Sequence, residues 1–302
     1  MPSWLKEGRG SLCGANVSLL LREMGITKPL LVAGERTKNV FFARTGMRLP
    51  VFDAFHPNPD LQDCVAGAAL YQEKGCDGLI SIGGGSAMDT AKGIKALLMT
   101  DIAHVRANQL PSEGNVPHLA IPGTAGTGAE TTAVAVLYED GQKLSVDHPA
   151  LLPDGVLLDG SLLDTLPEYH RKSCAMDALA QGIESWWAKK ATPDSRIHAE
   201  RAIRGVLDNL TAYLQGDRKA QDEMLHAAYE SGVAILTTRT TAAHAMSYQI
   251  TKKLGAAHGH ACMLTLPHLW AHLAAQAEYQ PMLTELSRLL GGEKAMDGAI
   301  LL

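Results

Sequence analysis

The sequence predicts an α/β protein in two parts, an open parallel sheet with helices on its faces followed by an all-helical region. Three observations carry that expectation. Short β-type apolar runs such as Pro29-Leu-Leu-Val-Ala33 alternate with segments of helical apolar spacing over residues 1–160. Several of those runs end in glycine-rich turns, the usual punctuation between a strand and a crossover helix. After Leu162 the texture changes to long segments of helical pattern with almost no strand signal. The expected domains are therefore 1–160 and 161–302.

In chain order, Gly8-Arg-Gly10-Ser-Leu-Cys-Gly14 imitates a dinucleotide fingerprint, but its third glycine comes one residue late and no strand is expected before it. A helix is predicted over 16–24, a buried strand over 29–34 and a short strand over 49–53. Pro57-Asn58-Pro59 marks a loop before a helix over 60–74. Cys76-Asp-Gly-Leu-Ile-Ser-Ile82 is the strand that feeds Gly83, Gly84 and Gly85, and a helix then runs to Leu98. Ser86 at its N-cap with Asp89 three residues on would make a capping box.

Strand, glycine turn and helix N-terminus together present backbone N–H groups and a positive helix end to a phosphate. Glycines lack Cβ, so a ligand can come close. An ordinary βα turn needs one glycine, and this one has three. His118-Leu-Ala-Ile-Pro122 is a further strand, running into Gly123-Thr-Ala-Gly-Thr-Gly-Ala-Glu130. The hydroxyls and bare amides of that turn suit a phosphate or ribose, although a plain loop explains it as well when taken alone. Lys143-Leu-Ser-Val and 151–159 form the last strand region. Helices are then predicted over 168–189, 195–214, 219–237, 242–253 and 259–275. The cleft between the halves is the default ligand site.

Composition excludes several classes. The net charge of −5 gives no reason to expect nucleic acid. No apolar run is long enough to span a membrane, and Met-Pro-Ser-Trp-Leu-Lys-Glu lacks the apolar core of a signal peptide. Five scattered cysteines with no CxxC read as reduced thiols of a cytoplasmic protein.

The helical half holds a candidate metal set. Asp177 and Gln181 are four apart and share one helical face. His244 and His258 stand further on. A carboxylate, an amide oxygen and two imidazoles suit Fe²⁺ or Zn²⁺. Each has an ordinary alternative, since a buried Asp often pairs with a cation and a His often fills a hydrogen-bonding niche.

Gly83-Gly-Gly-Ser-Ala-Met-Asp-Thr-Ala-Lys-Gly93, with the second turn and the His-x₁₃-His spacing, resembles the iron-containing (group III) alcohol dehydrogenases over essentially the whole chain. The resemblance implies a Rossmann-like dinucleotide-binding domain followed by a helical metal-binding domain, the dehydroquinate synthase-like fold. Asp177, His244 and His258 fall on three of the family's four metal positions. Gln181 replaces the family's histidine, and an amide oxygen is the weaker ligand for a first-row ion. Fe²⁺ is the implied metal, with Zn²⁺ the alternative.

Tyr248 stands where many members carry a proton-relaying histidine, and His260 is a second candidate for that catalytic role. Cofactor contacts are implied for Asn58, Gly84, Gly85, Ser86, Asp89, Thr124, Thr127 and Lys143. The usual TTAGTGSE turn departs here at Gly123 and Ala129. Gly34 stands where NAD-preferring members place an aspartate, and Arg36 is near enough to attract a 2′-phosphate. NADP(H) is therefore favoured over NAD(H), with Glu35 arguing the other way.

The segments 177–187, 240–248 and 257–261 are most similar to phosphonoacetaldehyde reductases, which implies reduction of phosphonoacetaldehyde to 2-hydroxyethylphosphonate. Arg239, Lys252, Lys253 and Lys143 are the cations such a substrate would need, and Arg239 and Gln249 depart from the subgroup's pattern. Two rivals remain open: a general alcohol or polyol dehydrogenase of the same family, and a non-catalytic nucleotide-binding remnant. Family members continue through further helices beyond the position of Leu302, so a C-terminal truncation is expected. The expected partner is a small aldehyde or alcohol, without nucleic acid or membrane, and a homodimer is left open.

Overall fold

Strands whose residues are apolar on both faces need cover on both sides, which is the situation of a parallel sheet flanked by helices. Pro29–Ala33 and Gly78–Gly83 are buried along their whole length. The computed structural model describes residues 6–112 and 116–302, with side chains from residue 10 onward. Residues 1–5 of the segment read above as lacking a leader core lie outside the described residues.

The chain divides into two units, Met1–Gly123 with Ala129–Leu162, and Thr124–Gly128 with Leu163–Leu302. In the first, the elements run β1 (Lys6–Arg9), α1 (Gly14–Glu23), β2 (Pro29–Ala33), α2 (Glu35–Thr45), β3 (Val51–Phe52), α3 (Leu61–Lys74), β4 (Gly78–Gly83), α4 (Gly85–Met99) and α5 (Ile102–Arg106). They continue through β5 (His118–Pro122), β6 (Val134–Glu139), β7 (Gln142–Asp147) and β8 (Gly155–Leu158). One six-stranded sheet has the order β1-β8-β5-β4-β2-β3, and its pairings are all parallel. Alternate residues supply the two apolar layers. Leu30 and Val32 pack with Phe52, Ile94 and Leu137 on one face, and Leu31 and Ala33 with Val17, Phe41 and Ile121 on the other.

Three expectations need correction. A strand does lead into the glycine run, because Lys6–Arg9, which includes Gly8, pairs in register with Gly155 to Leu158. Its charged Lys-Glu-Gly-Arg sequence has little strand propensity, and ladder hydrogen bonds to β8 override it. Ser86 is not an N-cap. Helix α4 starts at Gly85, with Gly84 extended (φ −85°, ψ −167°) as the cap and no side-chain cap bond. The bare glycines complete the turn with backbone alone, so Ser86 falls inside the first turn and its Oγ accepts from the Asn58 N–H at 3.2 Å.

The segment around Lys143 is also not part of the last strand of the main sheet. It is β7, paired antiparallel with β6 in a separate hairpin. Asp140 (φ 49°) and Gly141 (φ 71°) make its two-residue turn, in which both central residues take positive φ.

The second unit is helical: α6 (Glu168–Trp187), α7 (Pro193–Leu214), α8 (Arg218–Thr238), α9 (Ala242–Leu254), α10 (His258–Ala274), α11 (Gln280–Leu289) and α12 (Asp297–Leu301). The first five lie where helical spacing predicts them, with ends shifted by one or two residues. Thr192 and Ser195 close a capping box around the start of α7, with Pro193 at its first position. Among the described residues no helix is long and apolar enough to cross a membrane.

Asp159, buried at the end of β8, holds three segments of the first unit. Its carboxylate accepts from the Leu12 N–H (2.6 Å), the Ser161 N–H (2.9 Å) and Arg44 Nη1 (3.2 Å). Burial alone would raise its pKa, but the bonds from Ser161 and Leu12 and the Arg44 charge hold it below the ordinary carboxylate value. Asp159→Ala strands a buried N–H and is expected to cost about 2–3 kcal/mol at pH 7 by urea unfolding. Because the folded pKa is depressed, this contribution is present above the unfolded carboxylate pKa and is lost as pH falls through the folded one. The gap between wild type and variant should therefore narrow at pH 3.

Candidate metal centre and nucleotide turns

In the sheet unit, the strand order reverses between β2 and β4, since the chain steps from β2 out to β3 and returns on the opposite side. Ligands of open α/β sheets sit at the carboxyl ends of strands beside such a reversal. The ends of β2 and β4 lie there as hydrogen-bonded neighbours, with Ala33 in register with Ile82. Gly34 caps α2, and Gly84 caps α4. This groups Gly34, Arg36, Gly84, Gly85 and Ser86 at one sheet edge, with Asn58 (φ 58°) bonded to Ser86. Glu35, which argued against a 2′-phosphate, has its carboxylate held by Lys38 Nζ at 2.6 Å.

Asp89 lies one turn further along α4. Burial raises its pKa, against the attraction of Lys92, a bond from the Val136 N–H and the charge of Lys143. Lys143 on β7 is thus a neighbour of Asp89. Lys92, itself buried, donates to the Ala129 carbonyl (2.7 Å), Thr132 Oγ1 (3.0 Å) and the Val134 carbonyl (2.9 Å). Thr124 and Thr127 belong to the helical unit. There the Thr127 carbonyl accepts from Gln181 Nε2 at 3.1 Å.

The helical unit brings the proposed metal set together around one stripe of α6. Asp177, Gln181 and Glu184 sit at i, i+4 and i+7, and all three are buried. His244 comes from the first turn of α9, and His258 is the first residue of α10. Asp177 Oδ1 lies 3.2 Å from His244 Nε2 and 3.8 Å from His258 Nε2. The other ring nitrogens are engaged, His244 Nδ1 with Glu184 Oε2 and His258 Nδ1 with Ser247 Oγ at 3.1 Å. Glu184 Oε1 in turn accepts from the N–H groups of Thr241 (3.1 Å) and Ala243 (2.9 Å) and from the Thr241 hydroxyl. Both imidazoles are thereby turned Nε2-first toward Asp177.

Cys262 is the residue that sequence reading missed. Ligand atoms of Asp177, His244, His258 and Cys262 all lie within 4.8 Å of one another. Its signal was the i, i+4 spacing from His258, which places both on one face of α10. A tetrahedral ion with bonds of about 2.0–2.3 Å keeps its ligand atoms roughly 3.3–3.8 Å apart. The separations of 3.2 and 3.8 Å from Asp177 Oδ1 fit such an ion.

The electrostatics fit a cation as well. Burial works to lower the His244 pKa, but hydrogen bonds to Asp177, Cys262 and Glu184 carry it well above the ordinary value. Burial works to raise that of Asp177, and the charge of His258 and the bond from His244 hold it down.

Close approach of α10 to α6 makes the cluster. A Cβ on Gly259 would lie 1.9 Å from the Ser173 carbonyl oxygen and 2.7 Å from the Asp177 nitrogen. Only glycine lets the first turn of α10 press on the backbone of α6 there.

The two predicted proton carriers separate. The Tyr248 ring stacks on His258, with centroids 5.6 Å apart. His260 is held instead by Tyr169, whose OH lies 3.2 Å from its Nδ1, while its N–H donates to Ser173 Oγ. Arg239 ends α8 with φ 64° and donates to the Leu236 carbonyl at 3.1 Å. Lys252 and Lys253 are exposed in the last turn of α9, about 12 Å along the axis from His244, where they complement the helix dipole.

A parallel-sheet unit with glycine turns, joined in one chain to a helical unit carrying a convergent Asp-His-His-Cys set, defines the class: a nucleotide-type fold coupled to a metal-type centre. The pattern described as iron-containing alcohol dehydrogenase matches residues 2–160, and that of the Fe-containing alcohol dehydrogenase family, C-terminal, matches 172–300. The chain belongs to the iron-containing alcohol dehydrogenase family.

It is 36% identical over 228 residues to phosphonoacetaldehyde reductase of Streptomyces viridochromogenes, covering 71% of this chain and 58% of that one. It is 34% identical over 250 residues to the probable alcohol dehydrogenase EutG of Escherichia coli K12, covering 80% and 60%. The matched regions thus span less than two thirds of the length of these two relatives. The crystal structure of sulfoacetaldehyde reductase from Bifidobacterium kashiwanohense in complex with NAD+ superposes with a TM-score of 0.88 at 28% identity, covering 99% of this chain and 82% of that one.

Two substitutions test the architecture. Glu184→Gln removes the carboxylate that orients His244 and is expected to weaken Zn²⁺ or Fe²⁺ binding about 10–100-fold by competition titration. Gly259→Val forces α10 away from α6 and should abolish stoichiometric metal binding, read by elemental analysis of the purified protein.

Proposed function

We propose that the protein is a metal-dependent NAD(P)H oxidoreductase that interconverts a small aldehyde and its primary alcohol. The observation that supports this reading is the convergence of His244 Nε2 and His258 Nε2 on Asp177 Oδ1, 3.2 and 3.8 Å away. In this reading residues 1–160 carry the dinucleotide and 161–302 the metal. The protein works as a cytoplasmic enzyme, in keeping with cysteines that are all free.

Asp177, His244 and His258 would hold a divalent ion, which would supply Lewis-acid polarisation of the carbonyl oxygen, and a nicotinamide cofactor would supply the hydride. The protein's own residues do the rest. Glu184 and Ser247 fix the tautomers and orientation of His244 and His258. The glycine turn and the α4 N-terminus hold the cofactor diphosphate, with Asn58 and Ser86 bracing the turn. Thr124, Thr127, Asp89 and Lys143 are assigned to the same cofactor. Tyr248, stacked on His258, is the group best placed to return a proton at its phenolic oxygen, with His260 held further back by Tyr169.

Phosphonoacetaldehyde is the substrate we favour. The relatives named for phosphonoacetaldehyde and sulfoacetaldehyde share one chemistry, a two-carbon aldehyde bearing an anionic oxyacid. A general alcohol dehydrogenase is the second reading, and Arg239 favours it because its guanidinium is engaged with the Leu236 carbonyl. NADPH is the favoured cofactor. Gly34 adds no charge at the end of β2, Lys38 holds the carboxylate of Glu35, and Arg36 opens α2 beside it.

A chelator should abolish NADPH oxidation, and Zn²⁺ or Fe²⁺ should restore it. kcat/KM for phosphonoacetaldehyde should exceed that for butyraldehyde by about 100-fold or more, the scale of a charge-paired specificity. Equal values would remove the phosphonate assignment. Arg36→Ala should lower kcat/KM with NADPH roughly tenfold while leaving NADH nearly unchanged.

A further inference from the structure

The sequence assigns the fourth ligand position to Gln181, and its surroundings argue against that role. Its Nε2 donates to the Thr127 carbonyl at 3.1 Å. A carbonyl oxygen only accepts, so the amide group facing Thr127 is the nitrogen. Its Oε1 accepts from Ser231 Oγ at 2.8 Å. Rotating the amide by half a turn would set its oxygen against the Thr127 carbonyl oxygen, and two acceptors cannot pair. The amide nitrogen has no lone pair to offer a metal, and the amide oxygen is engaged with Ser231.

The cluster has another donor. Cys262, buried in α10 one turn after His258, brings Sγ within 4.8 Å of the ligand atoms of Asp177, His244 and His258. The thiol is therefore not packed as an inert apolar group but lies among the donors.

We infer that Cys262, and not Gln181, is the fourth protein ligand to the ion. The inference rests on the reading that Asp177, His244 and His258 hold a metal, and it deepens that reading. A donor set of one carboxylate, two imidazoles and one thiolate is softer than the oxygen and nitrogen set expected from sequence. Such a set selects for Zn²⁺ over Fe²⁺ more strongly than imidazole and carboxylate alone.

Reconstitution of the metal-free full-length protein with Co²⁺ tests this, because a Co²⁺–thiolate bond adds a charge-transfer band in the near ultraviolet to the visible ligand-field bands. The expected result is one Co²⁺ per chain with both sets of bands. Cys262→Ser should lose the charge-transfer band, while Gln181→Ala and the control Cys174→Ser retain it. The ratio of Zn²⁺ to Fe²⁺ affinity should also fall at least tenfold in Cys262→Ser and hold in Gln181→Ala.

One Co²⁺ bound with ligand-field bands but no charge-transfer band in the wild-type protein overturns the cysteine assignment and leaves the metal reading standing. Failure of the wild-type protein to bind Co²⁺ stoichiometrically overturns both. The wild-type spectrum alone decides between these outcomes, so a poorly folding variant does not shield the inference.

Discussion

The helical unit depends on the buried hydrogen bond between Glu184 and His244. A fully buried carboxylate is costly unless every lone pair is met. Here the start of α9 meets them, with the Thr241 and Ala243 N–H groups and the Thr241 hydroxyl on one oxygen and His244 on the other. The same four contacts fix where α9 begins, which way the His244 ring faces and how α9 sits on α6. Satisfying one charge thus positions both a helix and an imidazole. The orientation of His244 then lets Asp177 and His258 meet on its far side, so the geometry of the centre follows from a capping problem solved in the core.

The sheet unit was the easier part to read. β2 and β4 announce themselves as short runs apolar on both faces, and the three glycines after β4 have no other common use. Lys6–Arg9 did not, because an edge strand can be held by its neighbour's ladder with no propensity of its own. The β6–β7 hairpin carried its signal in Asp140-Gly141, but β6 alternates half-buried and buried residues and so lacks the continuous apolar run of its neighbours. Ser86 looked like a cap because Ser before a helix usually is one. Three successive bare glycines moved the N-cap from Ser86 to Gly84, two residues earlier, which spacing alone does not reveal.

For the candidate centre, sequence pointed to the helices that meet there and left Cys262 and Glu184 out. Asp177, His244 and His258 were legible from spacing and resemblance together, and the structure brings them within a few ångströms. Glu184 was hidden because a charged residue two turns along a helix ordinarily faces solvent. Cys262 was hidden for a different reason, since a scattered cysteine in a reduced protein is ordinarily an inert small hydrophobe. Contacts between α6, α9 and α10 decide both cases, and those are separated by up to about 80 residues of chain.

One small feature has a practical side. The tip of the β6–β7 hairpin is exposed at Asp140 and Gly141, and a side chain built on Gly141 would meet nothing within 4 Å. The hairpin hydrogen-bonds as a two-stranded ribbon of its own and adds no strand to the six-stranded ladder. Loop tips of that kind accept foreign sequence readily. A fluorophore or an affinity tag could be housed there with the parallel ladder left undisturbed, giving the molecule a handle in mid-chain.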